Sequence, residues 1–450
     1  MNKDRNRVLV ESIKRLLRRK AFPNLRKIVN KTHAADLSIV FRSLPIVDQA
    51  TLFGMMTDPA DKGVLLSEMD EDVYLNLVEE IEQDDLVKIF EVMPSDDAAD
   101  LIDLLPEDVS NAVLKGMRHE DSAEVTDLLS FEEGTAGRIM TPDFIALMED
   151  TTAREAIASL QKEYPDVEMP FYLYVVDEYG KLAGVSSLRQ LVVVPPDTPL
   201  KQFMATDVFC VQTETDQEEV AKIVARYDIL AVPVVDQNRR LVGIVTVDDV
   251  IDIFRIEATE DILKMAGVGE EYVETKSVLK STRIRLPWLF ASCVGGIVAF
   301  LIIGRFENAL SQITYLAAFI PVIMGMGGNI GTQSSTIVVR GLATGRLNVR
   351  DIGSVVLKEL CIGLILGIVY GIFIAAVAQF SYSTWRLAVS VGSALMSSMT
   401  IAALVGSFVP MIMARINIDP AVATGPFVTT AIDIISVFFY FMIATTLLEL

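Results

Sequence analysis

The stretch FVTTAIDIISVFFYF, residues 427–441, decides how the end of this chain must fold. Its one charged residue, Asp433, is the fourteenth of a 29-residue run, Pro420–Leu448, that contains no other charge. A helix of that length crosses roughly 30 Å of hydrocarbon, which places Asp433 near the middle of a bilayer. A lone carboxylate is costly there and usually faces a polar cavity on an ion or proton path. The alternative is a structural Asp that is hydrogen-bonded to a neighbouring helix.

Four more charge-free runs precede this one, and each is long enough to approach or exceed a membrane span. They are Leu286–Ile303, Asn308–Val339, Leu360–Trp385 and Leu387–Ala414. A soluble core can supply one such run but hardly five in succession. The sequence therefore predicts an all-α transmembrane bundle of five helices over residues 285–450.

Positive charges cluster at three places around these runs. The clusters are Lys276, Lys280, Arg283 and Arg285; Arg340, Arg346, Arg350 and Lys358; and Arg415. In a five-helix count all three fall on one side, which the positive-inside rule makes cytoplasmic. We therefore expect a multi-pass protein of the cell membrane, with a cytoplasmic N-terminus and an extracytoplasmic C-terminus.

The second run contains an unusual segment, MGMGGNIGTQSST (324–336), with four glycines and several polar side chains. Glycines expose backbone carbonyls and let helices pack closely, but close packing alone does not explain Asn329 and Gln333. Together with Asp433 they indicate a path with oxygen ligands only, which suits hard cations such as Mg²⁺, Ca²⁺ or Mn²⁺. Because one carboxylate per chain is little charge for a divalent ion, we expect a homodimer with the pore at or beside its interface.

The front of the chain is strongly acidic. Residues 1–280 carry 54 of the 60 acidic and 30 of the 39 basic residues, a net charge of −24. Such a surface repels nucleic acid and attracts cations. Three cysteines without a CxxC argue against a disulfide framework or a thiolate zinc site. The N-terminal MNKDRNRVLVESIKRLLRRK is the exception: it predicts a basic helix whose charges are either solvated or in contact with anionic lipid.

Residues 136–255 contain an internal repeat, in which FYLYVVDEYGKLAGVSSLRQLV aligns with LAVPVVDQNRRLVGIVTVDDVI. Each copy predicts a strand, a helix, two strands joined by a turn, and a helix. The tandem resembles the CBS pair, or Bateman module, an α+β ligand-sensing fold, with copies at 136–200 and 201–255. Members often bind adenine nucleotides through a Ser/Thr-x-x-Asp element. Thr246 and Asp249 match that element here, so the resemblance makes ATP a candidate ligand.

The remaining segments are predicted to be helical. In residues 1–135, aspartates recur at 36, 61, 85 and 108, a period that fits helix pairs stacked into an all-α superhelical domain. A long connecting helix, 256–284, leads into the first membrane run. The carboxylates along residues 248–261 are dense enough to form a cation sensor.

This order resembles the MgtE family of magnesium transporters, most specifically in PVIMGMGGNIGTQSS (321–335) and DPAVATGPFVTTAID (419–433). The resemblance implies a dimeric Mg²⁺-selective channel of the inner membrane, with Asp433, Asn329 and Gly328 along the pore. It also implies closure by intracellular Mg²⁺. The acidic positions that match the family are Asp96, Asp100, Asp216, Glu218, Asp228, Asp249, Asp252, Glu257, Glu260 and Asp261.

Two other functions stay open. One is a proton- or sodium-coupled carrier for Mg²⁺ or another divalent cation such as Co²⁺ or Mn²⁺, with Asp433 as the coupling carboxylate. The other is an intramembrane enzyme, or a receptor whose membrane half anchors the CBS sensor. The membrane runs contain no nucleophile–base pair and no HExxH motif, so we predict that the protein is not an enzyme.

Overall fold

A computed structural model of the protein describes residues 2–163, 171–268 and 278–449. The chain divides into two compact units, Met1–Arg255 and Ile256–Leu450. The finer domain bounds expected from the sequence, at 135, 200 and 284, stay predictions. Residues 269–277 of the predicted connecting helix lie outside the described residues.

Ten helices precede the first strand in the described residues. They are α1 Asn2–Arg18, α2 Phe22–Val29, α3 Ala34–Phe41, α4 Ile46–Phe53, α5 Pro59–Ser67, α6 Glu71–Val78, α7 Gln83–Phe90, α8 Ser95–Asp103, α9 Glu107–Gly116 and α10 His119–Leu129. From α3 to α9, Asp or Glu stands in the first turn of every helix, where it complements the positive end of the helix dipole. Helices two apart in sequence pack together, as α3 does with α5 and α5 with α7. The predicted all-α superhelical fold is confirmed.

Two similar α+β repeats follow. The first contains β1 Ala146–Met148, α11 Ala153–Glu163, β2 Tyr172–Val176, β3 Leu182–Ser187 and α12 Leu188–Val193. The second contains β4 Val211–Gln212, α13 Gln217–Tyr227, β5 Ala231–Val235, β6 Leu241–Thr246 and α14 Val247–Met265. In each sheet a central strand pairs parallel to the first strand and antiparallel to the third. The registers even shift at equivalent places, Val175/Val176 and Val234/Val235. The internal repeat read from the sequence is thus a structural one.

The helices that end the two repeats differ in length. Ser187 and Gln190 form a capping box at the start of the six-residue α12. The second helix, α14, runs for 19 residues instead. Gly267, with a φ of +72°, follows its last turn in the left-handed conformation that glycine adopts most readily.

The C-terminal unit is helical wherever the structure describes regular elements. Its helices are α15 Val278–Arg305, α16 Glu307–Gln312, α17 Leu316–Ala343, α18 Ile352–Tyr382, α19 Trp385–Arg415, α20 Pro420–Thr424 and α21 Pro426–Leu448. Among the residues that the structure describes, four segments are long and apolar enough to cross a membrane: Val278–Arg305, Val349–Tyr382, Trp385–Arg415 and Pro426–Leu448. The fifth long helix, α17, has the length, with 28 residues. Glycines and polar residues lower its mean hydropathy, so a fifth span stays a prediction.

Two of the predicted runs are divided in the structure. Asn308–Val339 comprises α16 and most of α17, and Pro420–Leu448 breaks at Gly425 between α20 and α21. Pro426 begins α21, where its missing N–H is not needed by the helix. The glycine-rich segment 324–336, by contrast, is regular helix within α17.

Glycines bring the long helices into close contact. Gly363, Gly367 and Gly371 repeat every fourth residue on α18, and a Cβ on any of them would meet α19. A Cβ on Gly406 of α19 would collide with the backbone carbonyl of Gly331 on α17. Small residues at this spacing let membrane helices approach through their backbones. Close packing between helices therefore explains the presence of a glycine at position 331 of α17.

Candidate functional site

Asp433 lines a cavity of about 390 Å³ within the C-terminal unit. Residues of α15, α17 and α21 form its walls, and the carboxyl-terminal end of α14 contributes Met265 and Ala266. Hydroxyl groups enter from several sides, from Ser292, Thr332, Thr429 and Thr430. The half-buried carboxylate thus faces a space whose walls carry both hydroxyl-bearing and apolar residues. It can offer oxygen ligands to a cation or a proton to water.

Gly328 lies directly beside this carboxylate. A Cβ built on Gly328 would be 3.8 Å from Oδ1 of Asp433, an ordinary contact distance, and Gly328 itself is buried and does not line the cavity. Asn329 does not line the cavity and is exposed on the single chain. Gly325, Thr332, Gln333 and Thr336 are exposed as well. Their spacing of three to four residues puts them on the same side of α17 as Asn329.

The end of α14 is fixed beside the cavity by contacts that the sequence did not reveal. Lys264 pairs with Oδ2 of Asp419 at 2.9 Å and also with Glu260. Asp419 caps α20, its Oδ1 accepting from the N–H of Ala421 at 2.8 Å. A Cβ on Gly425 would lie 2.9 Å from the carbonyl oxygen of Met265. The sequence offered one indication that Asp419 has a structural role, because an Asp–Pro pair such as 419–420 is a typical helix start.

A second buried carboxylate, Glu359 on α18, was also missed. Ser334 of α17 donates to its Oε2 at 2.8 Å, and both side chains are almost completely buried. Glu359 is not among the residues that line the Asp433 cavity. Its hydrogen bond joins α17 to α18, so its role here is structural.

In the N-terminal unit, the structure brings carboxylates of α8 and α14 together. Partial burial is the main cause that raises the pKa of Asp97 to about 6, and the nearby charges of Asp249, Asp100, Asp248 and Asp252 are the smaller causes. The pKa of Asp249 is also raised to about 6, mainly by burial, although a hydrogen bond from Thr246 opposes the shift. Carboxylates held this close favour a proton or a cation between them.

Of this cluster the sequence predicts Asp100, Asp249 and Asp252 as regulatory residues, but not Asp97. Asp96 and Asp97 are adjacent, and only the rotation of α8 decides which of them faces α14. Asp96 is the more buried of the two. Arg138, also buried, pairs with Asp100 at 2.9 Å and with Asp103 at 3.2 Å. It therefore neutralises part of the cluster internally.

The other predicted regulatory residues are dispersed. Asp216 caps α13 by accepting from the N–H of Glu218 at 2.8 Å, and Glu218 pairs with Lys222. Asp228 ends the same eleven-residue helix in the left-handed conformation. The twelve steps from Asp216 to Asp228 separate the two aspartates by about 18 Å along the helix axis, so they cannot share an ion within one chain.

Glu257, Glu260 and Asp261 lie on the second part of α14, in the C-terminal unit. Glu260 is the one that pairs with Lys264. Over the described ranges 2–163, 171–268 and 278–449, no three His, Cys, Asp or Glu side chains are close enough to hold a metal ion together.

A cavity of about 200 Å³ lies between the two α+β repeats. Tyr172 and Tyr174 line it from the first repeat, and Asp207 and Phe209 from the second. The buried hydroxyl of Tyr174 has no hydrogen-bond partner among the described residues. The volume is below the roughly 300 Å³ at which ligand pockets usually begin, so it suits one part of a larger ligand, such as a base.

Thr246 and Asp249, the predicted nucleotide-binding residues, do not line this cavity. Their side chains are hydrogen-bonded to each other at the start of α14. Asp249 also faces the carboxylates of the α8–α14 cluster, a setting that favours a cation over a phosphate.

A helical repeat, a tandem α+β module and an apolar helical bundle with a carboxylate-bearing cavity are typical of a multi-pass transporter with a regulatory N-terminal part. The sequence matches the family models described as MgtE intracellular N domain over residues 32–134, CBS domain over 136–194 and 200–255, and Divalent cation transporter over 320–443. The chain belongs to the MgtE family of divalent cation transporters.

Several similar proteins are named magnesium transporter MgtE. The chain is 42% identical over 331 residues, 73% of each chain, to the magnesium transporter MgtE of Thermus thermophilus. It is 33% identical to that of Bacillus subtilis over 437 residues, 96% of each chain. A solved structure of the cytosolic domain of the Mg²⁺ channel MgtE in complex with ATP is 35% identical, with a TM-score of 0.52. The aligned part covers 54% of this chain and 99% of the chain in that structure.

Proposed function

We propose that the protein is a Mg²⁺-selective channel that imports magnesium across the cytoplasmic membrane and closes when intracellular Mg²⁺ binds its acidic regions. The observation that carries this proposal is the position of Asp433, on an otherwise charge-free membrane helix and in a cavity that several hydroxyl-bearing residues also line. The names of the similar proteins support the choice of magnesium. The protein acts as a transporter and not as an enzyme.

The chemistry of the cavity suits hydrated Mg²⁺. This ion keeps several of its waters and is usually held by only one or two carboxylates. Hydroxyls such as those of Thr429 and Thr430 can accept hydrogen bonds from those waters, while Asp433 supplies the charge.

The exposed polar side of α17 supports a homodimer. Asn329 and Gln333 cannot face lipid without leaving their side-chain amide groups unsatisfied. A second copy packed near α17 would shelter them and bring two Asp433 carboxylates to one axis. Asn329 would then reach the pore from the interface, as the sequence resemblance implies.

The α8–α14 cluster supports closure by Mg²⁺. Asp97, Asp248, Asp249 and Asp252 repel one another when ionised and unbound, which favours separation of the two helices. Mg²⁺ would neutralise them and favour the closed arrangement. This assignment places residues 1–255 in the cytoplasm and the C-terminus outside, as the positive charges predict.

Adenine nucleotide is the proposed ligand of the cavity between the α+β repeats. Tyr172 and Phe209 offer aromatic faces to a base, and the free Tyr174 hydroxyl offers a hydrogen bond. One solved relative contains ATP. In this proposal the base enters the cavity and the phosphates lie outside it.

A proton- or sodium-coupled carrier is the second candidate, since a half-buried carboxylate can also exchange protons. One experiment tests both. Mg²⁺ uptake is measured in proteoliposomes without a proton or sodium gradient, for wild type and Asp433→Asn. The control is Glu359→Gln, which neutralises a buried carboxyl outside the cavity.

For a channel, we expect Mg²⁺ uptake by wild type and by the Glu359→Gln control, and no uptake by Asp433→Asn. Uptake that appears only after a gradient is imposed would assign the protein as a coupled carrier. Full uptake by Asp433→Asn would make that carboxylate structural. The same assay with Co²⁺ and Mn²⁺ measures selectivity.

A further inference from the structure

The first two helices carry a cationic surface in a chain whose net charge is −21. Between residues 12 and 35 there is no Asp or Glu. The cationic surface consists of the eight basic residues in that stretch: Lys14, Arg15, Arg18, Arg19, Lys20, Arg26, Lys27 and Lys31. All except Lys14 are exposed. The charge is therefore available to a partner outside the chain.

These cations are not neutralised by neighbours. Across the residues that the structure describes, none of the eight has a carboxylate within ion-pair distance. Other cations of the same unit do find partners, as Arg42 does with Asp70 and Arg118 with Asp121. The unit as a whole is acidic, so the eight cations lack carboxylate partners because their own segment, residues 12–35, contains no Asp or Glu.

The cationic surface is held in a defined shape. Lys20 takes the left-handed conformation, with a φ of 51°, at the turn between α1 and α2. Its N–H and that of Ala21 close the turn onto the carbonyls of Leu17 and Leu16. Asn30, after α2, donates to the carbonyl of Met55 at 3.1 Å and accepts from the N–H of Thr57 at 3.0 Å. Both ends of α2 are thus fixed to the rest of the fold.

A wide cleft of about 780 Å³ lies along α2. Arg26, Lys27 and Lys31 line it, together with the exposed aromatic ring of Phe22. Val8 adds a second exposed apolar side chain on α1. Cations interleaved with exposed apolar side chains on helices are typical of segments that bind at a lipid–water interface.

We propose that this cationic surface binds the anionic phospholipid headgroups of a membrane surface. The phosphate of a headgroup would contact the cleft cations, and Phe22 would enter the interfacial region. Clusters of four to eight Lys and Arg residues near a membrane are a recognised means of holding anionic lipid. The acidic remainder of the N-terminal unit is repelled by such lipid, so this surface is the part of the unit able to bind it.

The test uses the full-length protein in nanodiscs of phosphatidylcholine, captured on immobilised vesicles. One set of vesicles is phosphatidylcholine alone, and the other also contains phosphatidylglycerol. Wild type is compared with the triple variant Arg26→Gln, Lys27→Gln, Lys31→Gln. The matched control is Lys115→Gln, Lys181→Gln, Arg189→Gln, which removes three exposed cations elsewhere in the same unit.

We expect wild type and the control to bind the phosphatidylglycerol vesicles, and the cleft variant to bind them roughly ten-fold or more weakly. Binding should weaken as salt is raised. Equal capture by both kinds of vesicle, or by the cleft variant and wild type, would overturn the proposal. So would full displacement by millimolar inorganic phosphate at constant ionic strength, which would indicate a free-phosphate site. Vesicle-independent association of nanodiscs that the cleft variant loses would assign the surface to a second copy instead.

Discussion

Lys264 Nζ lies 2.9 Å from Oδ2 of Asp419, so a fixed cation joins the last turn of α14 to the start of α20. The same ammonium also pairs with Glu260 on its own helix. Six residues after Asp419, the chain reaches Gly425, which lines the Asp433 cavity and contacts the backbone after Lys264. The ion pair therefore holds the end of α14 beside the proposed ion path.

Replacing Lys264 with Met should make the channel harder to close. The substitution keeps the apolar stem but removes the charge that holds Glu260 and Asp419. A partly exposed pair contributes up to about 1 kcal/mol, so the internal Mg²⁺ concentration for half-inhibition of flux should rise by up to roughly five-fold.

Lys88→Met is the control for Lys264→Met, because it breaks an exposed pair with Asp85 on α7. Half-inhibition should be unchanged in that variant. If Lys264→Met is half-inhibited at a lower internal Mg²⁺ concentration than wild type, the ammonium competes with Mg²⁺ for the carboxylates and does not support closure.

Inhibition by Mg²⁺ should weaken as pH falls through about 6. The pKa values of Asp97 and Asp249 are raised to about 6, and Mg²⁺ binds the ionised carboxylates. Acidification thus protonates the cluster and competes with the ion. The measurement is the half-inhibiting Mg²⁺ concentration of the full-length protein between about pH 7 and pH 5. In the double variant Asp97→Asn, Asp249→Asn, this pH dependence should be much reduced.

The same shifts predict how stability depends on pH. Because burial and like charges raise these pKa values above 3.8, the folded state binds more protons than the unfolded state between pH 3.8 and about 6. Without Mg²⁺, stability should therefore fall as pH rises through that range, and Mg²⁺ should restore it near neutral pH. Thermal unfolding of the full-length protein with and without Mg²⁺ measures both effects. A midpoint that rises with pH without Mg²⁺ would contradict the assignment.

Gly406→Ala should destabilise the C-terminal unit by about 1–3 kcal/mol, the usual effect of overpacking. The new methyl group would meet the carbonyl of Gly331 across the α17–α19 contact. Thermal stability in detergent measures the effect. Gly304→Ala on α15 is the matched control, since a Cβ there has open space. Equal thermal stability of the two variants would show that α17 and α19 can move apart without loss of stability.

Phe209→Ala should weaken ATP binding by roughly ten-fold, if the base stacks on that ring as bases stack on aromatic side chains elsewhere. Titration calorimetry of the full-length protein measures the affinity. Phe171→Ala removes an exposed ring next to Tyr172 that does not line the cavity, so it should bind normally. A loss in Thr246→Val with none in Phe209→Ala would favour the site expected from the sequence.

Much of the architecture could be read from the sequence because local patterns determine it. The repeat spanning 171–192 and 230–251 predicted two equivalent sheets, and the structure repeats even the register shift between β2 and β3 in β5 and β6. Run length predicted the apolar helices, but the breaks at Gly425 and between α16 and α17 depend on single residues within apolar sequence.

The sequence by itself determined that a carboxylate lies within an apolar helix. The order of the residues fixes the place of Asp433 in its long apolar run, whatever the packing of the helices. It likewise determined the charge difference between the two halves. Only the tertiary structure decided which neighbours these groups have. The rotation of α8 points Asp97 toward Asp249, the packing of α17 on α21 puts Gly328 rather than Asn329 beside Asp433, and the loop before α20 brings Asp419 to Lys264. These contacts join residues far apart in sequence, so helix packing and not local composition sets them.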